Sequence, residues 1–229
     1  MLGLALWTEP AGAQDVKTYK LTVSVHPAVR YQLKQDEVEN ILKGASDILQ
    51  GKTGVPPHNN CKVEFKFNGF IPFPRSVHAN IINVADLEEV HDVPADVKVV
   101  ESITFCSRGP NPEGYAGCAW RPEPDRHRTA IVARDYFPPG LSSPRPGIVS
   151  VASVIWAHEF GHTTGLLHRY QKDGTGPSTN LMTPCILETF SQPINDDECD
   201  HFLAGPVLHY PTGLGDACPT NSSTGHPDD

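Results

Sequence analysis

The chain has 229 residues with 18 Lys and Arg against 27 Asp and Glu, giving a formal net charge of −9 and a sequence pI near 5.6. That length suits one domain with a core large enough to stand without covalent staples. The acidic balance, with no Lys/Arg cluster to offset it, argues against a nucleic-acid surface, and the lack of any run of about 18 apolar residues argues against a membrane span.

At the N-terminus, Leu2–Trp7 is apolar and Ala11-Gly12-Ala13 has the small-x-small pattern of a signal-peptidase site before Gln14. A basic segment ahead of the apolar run is absent, so this reads as a trimmed export signal or one whose start lies upstream. Residues 1–13 are therefore assigned to an export remnant and 14–229 to a single domain, with an upper part at about 14–165 and a lower part at about 166–229. The expected location is secreted or periplasmic, and the expected state a monomer.

Thr18–Val25 alternates as a strand ended by Pro27. Val38, Ile41, Leu42, Ala45, Ile48 and Leu49 recur at helical spacing and predict a helix from about Lys34 to Gln50, stopped by Gly51 and Pro56-Pro57. Val63–Phe67 alternates again, and Val97–Phe105 predicts a further strand. Gly114–Trp120 is short, broken by Gly and bounded by Pro112 and Pro122, which places it at a sheet edge. Thr129–Ala133 reads as a buried strand and Gly147–Gly165 as a helix. Asn195–Leu203 predicts a second C-terminal helix, capped by Asn195 with acids in its first turn. From Pro211 the Gly, Pro, Ser and Thr content predicts no regular structure.

The informative stretch is His158-Glu159-Phe160-Gly161-His162-Thr163-Thr164-Gly165-Leu166-Leu167-His168. On a helix, His158 and His162 lie one turn apart on one face and present two imidazoles to a single ion. Glu159 sits beside that ion, placed to take a proton from an attacking water. Gly165 can adopt positive φ, end the helix and return the chain so that His168 supplies a third imidazole. Three neutral imidazoles with one open position is the donor set of a catalytic zinc site, whereas structural zinc usually takes four protein ligands.

His-Glu-x-x-His-x-x-Gly-x-x-His resembles the metzincin signature, which calls for a Met-containing turn further along; Asn180-Leu181-Met182-Thr183-Pro184 offers one. The resemblance implies an α+β zincin-like catalytic domain: a twisted mixed sheet with an antiparallel edge strand, an active-site helix, and an irregular C-terminal subdomain holding the Met-turn and a terminal helix. It also implies that Met182 packs beneath the imidazoles and that Gly165 shapes the site. The edge strand, through Ala116, Gly117, Cys118 and Ala119, would receive an extended peptide or protein substrate as an added strand. The wall after the Met-turn, with Ile186, Leu187 and Phe190, would favour an apolar side chain after the scissile bond. Arg169 follows the third His, where astacins, reprolysins, matrixins and serralysins carry Glu, Asp, Ser or Pro; an astacin-like Tyr ligand and the cysteine run of archaemetzincins are also missing. The resemblance therefore reaches the clan and not a family within it.

The activity implied is secreted zinc endopeptidase, with Zn2+ as cofactor and Glu159 as base. Two alternatives stay open: a zinc-containing peptide-binding domain of weak or no activity, and an exopeptidase. Six cysteines form an even set without zinc-site spacing, which in an exported protein reads as three disulfides. The preferred pairs are Cys106–Cys118, closing one loop, Cys185–Cys199, tying the Met-turn segment to the next helix, and the remaining Cys61–Cys218. Asp196, Asp197, Glu198 and Asp200 could bind calcium, but acids at a helix start are better explained by the macrodipole.

Overall fold

The structure is a computed structural model that describes residues 15–52, 60–106, 109–112, 114–120, 129–133, 150–168, 181–182, 194–206 and 214–217. β1 (Lys17–Val25) leads into α1 (Gln35–Leu49), whose buried residues Val38, Ile41, Leu42, Ala45, Ile48 and Leu49 are the predicted stripe. β2 (Val63–Phe70) lies parallel to β1, with Lys17 opposite Val63 and Leu21 opposite Phe67. β4 (Val97–Val100) and β9 (Thr129–Ala133) extend the parallel set on the other side of β1, and β8 (Tyr115–Trp120) adds antiparallel to β9. The main sheet has the order β10-β8-β9-β4-β1-β2, where β10 is Leu214–Ala217.

Helix α3 (Val151–Thr163) is the centre of this arrangement. All of its 13 residues are buried, which is the state expected of a helix apolar on every side. It packs against α1 and against β8 and β9, so one face of the sheet is covered by the α1–α3 pair. Alternation along the strands sends Val99 and Val132 into this core, whereas Val100 and Ala133 join a smaller cluster on the opposite face with Leu87, Val90 and Ile103. A ring contact series, Tyr19–Phe160 and Phe65–Phe160 at 4.8 Å and Phe160–Phe202 at 6.2 Å, connects the sheet through α3 to α4 (Asp196–Ala204). Asn195 caps α4 as expected: its side chain accepts from Glu198 N at 2.8 Å, and Glu198 accepts from Asn195 N at 2.9 Å.

The structure differs from the sequence reading at four points, one of them a helix that the sequence did not announce. The stretch Val97–Phe105 is not one strand: after β4 the chain turns at Glu101, whose N–H donates to Ala79 O at 2.8 Å, and Ser102–Ile103 (β5) pairs instead with Asn80–Ile81 (β3). Phe105–Cys106 (β6) then pairs with Gly109–Pro110 (β7). A short helix, α2 (Val84–His91), follows β3 and is capped by Asn83, which accepts from Asp86 N at 3.1 Å; only Leu87 and Val90 of its side chains join the apolar cluster, too few to show a period. Third, the tail is not devoid of regular structure, because β10 pairs antiparallel with β8, Leu214 opposite Ala119 and Gly215 opposite Cys118. The segment Tyr115–Trp120 is consequently not the sheet edge, and Ala116–Ala119 do not offer a free row of backbone groups.

The fourth correction concerns the cysteines. Cys106 is bonded to Cys118, but Cys61 is bonded to Cys199 and not to Cys218, which also removes the expected Cys185–Cys199 pair. The reason is packing: α4 lies against α3 and brings Cys199 to a Cα separation of 5.5 Å from Cys61, just ahead of β2, within bridging range. Cys185 and Cys218 lie outside the described residues. Closing 138 residues of sequence with one bond removes much unfolded-state entropy, worth about 5 kcal/mol in the chain-entropy account.

Lys98 lies buried in β4, with its Nζ donating to His91 O at 3.0 Å. Burial pushes its pKa down to about 7, although Asp96 and Asp92 pull the other way. Between that value and the ordinary 10.5, the unfolded chain holds a proton that the folded chain does not, so this group makes stability rise with pH across the window and contributes no slope below it. Relative to Lys98→Met, the natural chain should therefore gain stability from pH 7 toward pH 10, by at most about 1.4 kcal/mol per pH unit. Chemical denaturation at several pH values checks this, and parallel pH curves for the two chains would refute it.

Candidate metal centre

α3 starts at Ser150, whose Oγ accepts from Ser153 N at 3.1 Å, and ends in a left-handed turn. Gly165 has φ 92°, Gly165 N donates to His162 O at 3.0 Å, and Leu166 N donates to Gly161 O at 3.2 Å. These two bonds are the pattern of a Schellman cap, which needs a residue without Cβ at the turn. The chain therefore reverses at Gly165, as the sequence pattern predicts, and His168 returns toward the helix.

The three imidazoles meet. His162 Nε2 lies 2.9 Å from His158 Nε2 and 3.1 Å from His168 Nε2. The outer nitrogens of the first two are committed elsewhere: His158 Nδ1 donates to Leu181 O at 2.5 Å and His162 Nδ1 donates to Leu166 O at 2.8 Å. A carbonyl only accepts, so each Nδ1 carries the proton and each Nε2 of a neutral ring presents a lone pair. Two lone pairs turned toward each other repel unless something electrophilic lies between them. Donors of one tetrahedral zinc ion, bound at about 2.0–2.1 Å, stand roughly 3.3 Å apart, close to the spacings here. Among the described residues, His158, His162 and His168 are the one group of three His, Cys, Asp or Glu side chains arranged to hold a metal ion. The donor set fits zinc.

Glu159 is fully buried, on the helical position after His158. β8 passes directly over it: a Cβ placed on Gly117 would meet Cγ and Cδ of Glu159 at 2.7 Å. Beneath α3, Met182 is fully buried, and a Cβ on Gly161 would meet its Sδ at 2.6 Å and Phe202 Cζ at 3.1 Å. Met182 thus packs against the helix between the two histidine positions, while Leu181 just before it supplies the carbonyl that orients His158. Ala116, Gly117, Cys118 and Ala119 are buried in β8 with β10 along their outer side. Ile186, Leu187 and Phe190 lie outside the described residues, and the acids of α4 serve as its first turn. Sequence reasoning did not single out Gly161, Leu166 or Leu181. The glycine lies inside the motif at a variable position, and the two carbonyl acceptors carry no side-chain signal.

A solved structure of metalloproteinase-II from Bacteroides fragilis is similar to this chain, with a TM-score of 0.50 at 12% sequence identity over 85% of this chain and 55% of that one. The chain thus spans about half the length of that protein. A chaperone–substrate complex aligns at a TM-score of 0.43 and 13% identity over 83% of this chain and 35% of that one, too distant to carry an argument. No protein-family model and no curated protein sequence matches the chain. At such identity the likeness concerns the fold: a mixed α/β architecture with a mostly parallel sheet, zincin-like in coarse outline, around a three-histidine cluster. No helix among the described residues is long and apolar enough to cross a membrane.

If the three imidazoles act together, protein equilibrated with Zn2+ and desalted should retain about one ion per chain, and His162→Ala should retain under about 0.1. Elemental analysis decides this; full occupancy of the His162→Ala chain would remove His162 from the ligand set.

Proposed function

We propose that the protein is a secreted zinc endopeptidase of the metzincin clan that cuts extended peptide or protein segments. The observation that carries this reading is the convergence of the His158, His162 and His168 Nε2 atoms, with the buried Glu159 on the helical position next to His158. Residues 14–229 act as one catalytic unit and as a monomer, with residues 1–13 serving export. Two disulfides among the described residues support an oxidising compartment.

His158, His162 and His168 would hold Zn2+, which when bound supplies a Lewis acid that polarises the scissile carbonyl and makes a neighbouring water more acidic. Glu159 accepts the proton of the attacking water and delivers it to the leaving amine. Its burial under β8 keeps bulk water from the carboxylate, so the proton is moved between reacting groups and not lost to solvent. The Leu181 and Leu166 carbonyls hold two rings in the tautomer that donates through Nε2. Met182 packs against α3 at Gly161, between the two helical histidines, and would fix the floor under those rings. Ile186, Leu187 and Phe190 would line a pocket for an apolar side chain after the cut bond.

Substrate alignment along Ala116–Ala119 is constrained by β10, because an extended peptide can add to the outer side of β8 only by replacing Leu214–Ala217. That same pairing favours a second reading, a zinc-containing domain that holds an extended segment without cutting it. The two are separated by one substitution. Glu159→Ala should keep about one zinc per chain while hydrolysis of a quenched peptide library falls by about 10²–10⁴-fold; undiminished hydrolysis would take the role from Glu159, and no hydrolysis by the natural chain would favour the binding domain. A chain ending at Gly213 should in addition show a lower KM for extended peptides, measured on the same library, since the β8 edge is then open.

A further inference from the structure

We propose that Gly117 is a positioning residue for Glu159: the absence of a side chain at this point of β8 is what allows the carboxylate to lie under the strand, one helical position from His158. The inference rests on the reading of Glu159 as the proton acceptor. Three observations lead to it.

The first is steric. A methyl group on Gly117 would stand 2.7 Å from both Cγ and Cδ of Glu159, and closer still to Oε1. Carbon atoms in contact settle at about 3.5–4.0 Å, so one partner would have to move. The second is that Gly117 itself cannot yield. Its backbone is registered opposite Val132 of β9, and the next residue, Cys118, is registered opposite Ile131 and bonded to Cys106. The third is that Glu159 has no slack on its own side. It sits within α3, every residue of which is buried, and Cγ is only two bonds from the helix backbone. The overlap therefore involves the stem of the side chain and not merely its flexible tip. A methyl on the strand would turn the carboxylate away from the cluster.

The residue choice agrees with this. Glycine inside a strand gives up packing and backbone order, and its presence there marks a close approach by another group. The residues on either side in β8, Ala116 and Cys118, and Ala119 beyond them, all carry a Cβ and are all buried. Gly117 is the position of the strand where the approaching group is the carboxylate.

The test is a double-substitution cycle of Gly117→Ala and Glu159→Ala, read by thermal unfolding of the zinc-loaded protein and by peptide hydrolysis. Gly117→Ala alone should lower the unfolding midpoint, and in the Glu159→Ala background the same change should have no effect or raise it. Equal losses in both backgrounds would overturn the proposal. In kinetics, Gly117→Ala should lower kcat by about 10²-fold, the scale of a misplacement near 1 Å, with KM and zinc content unchanged; a change confined to KM would overturn it. If Gly117→Ala does not fold, the double variant should, and failure of both to fold counts against the idea. Because the unfolding cycle needs no turnover, it still reads the Gly117–Glu159 contact if the protein proves not to be a peptidase.

Discussion

The structure depends on enclosing α3. A helix buried on every side must be apolar nearly throughout, and Val151 to Ala157 satisfies that demand, yet its second half carries His158, Glu159 and His162 into the same enclosure. Buried polar groups are costly unless each finds a partner. The two histidines are accommodated by backbone carbonyls at their outer nitrogens and by each other's company at the inner ones. A shared cation at the convergence point would separate the inner lone pairs, which otherwise face one another in a low-dielectric interior. Folding and the assembly of the three-histidine cluster are in that sense one problem, solved where the sheet, α1 and the Leu181–Met182 turn close around the helix.

How much of this the chain discloses beforehand differs by kind of interaction. Local periodicity located α1 to within a residue at each end, because its stripe from Val38 to Leu49 is decided by neighbours three and four apart. β1 and β9 were legible for the same reason. The donor set was legible too, since its three histidines lie within 11 residues, their spacing dictates a shared face, and Gly165 between them marks the reversal. What stayed hidden was non-local. The pairing of β10 with β8 joins residues nearly a hundred positions apart, and nothing in Leu214–Ala217 announces a partner. Cys61 finds Cys199 because α4 packs beside α3, a fact of tertiary layout that short-loop reasoning about Cys185 could not supply. α2 hides because eight residues with two core contacts make no readable period.

Glycines divide along the same line. Gly165 could be read in advance, since its role is a backbone conformation and the chain must turn there for His168 to return. Gly117 and Gly161 look ordinary in sequence, because what they make room for, the Glu159 side chain above and Met182 below, is visible only when the layers are stacked. Between them these two positions set the height of α3 within the molecule: one limits how near the strand may come, the other how near the methionine.

The turn at Gly165 then ties the site's parts into one device. Ending α3 there exposes Leu166 O to His162 Nδ1 at 2.8 Å, so the same reversal that terminates the helix orients its last donor. Two residues on, it delivers His168 Nε2 to 3.1 Å from His162 Nε2. A side chain at position 165 would oppose the positive φ and loosen all three consequences together, the cap, the tautomer of His162 and the third donor. The candidate metal centre is thus built less from three independent histidines than from one helix end, where Leu166 closes the cap through its N–H and orients His162 through its carbonyl.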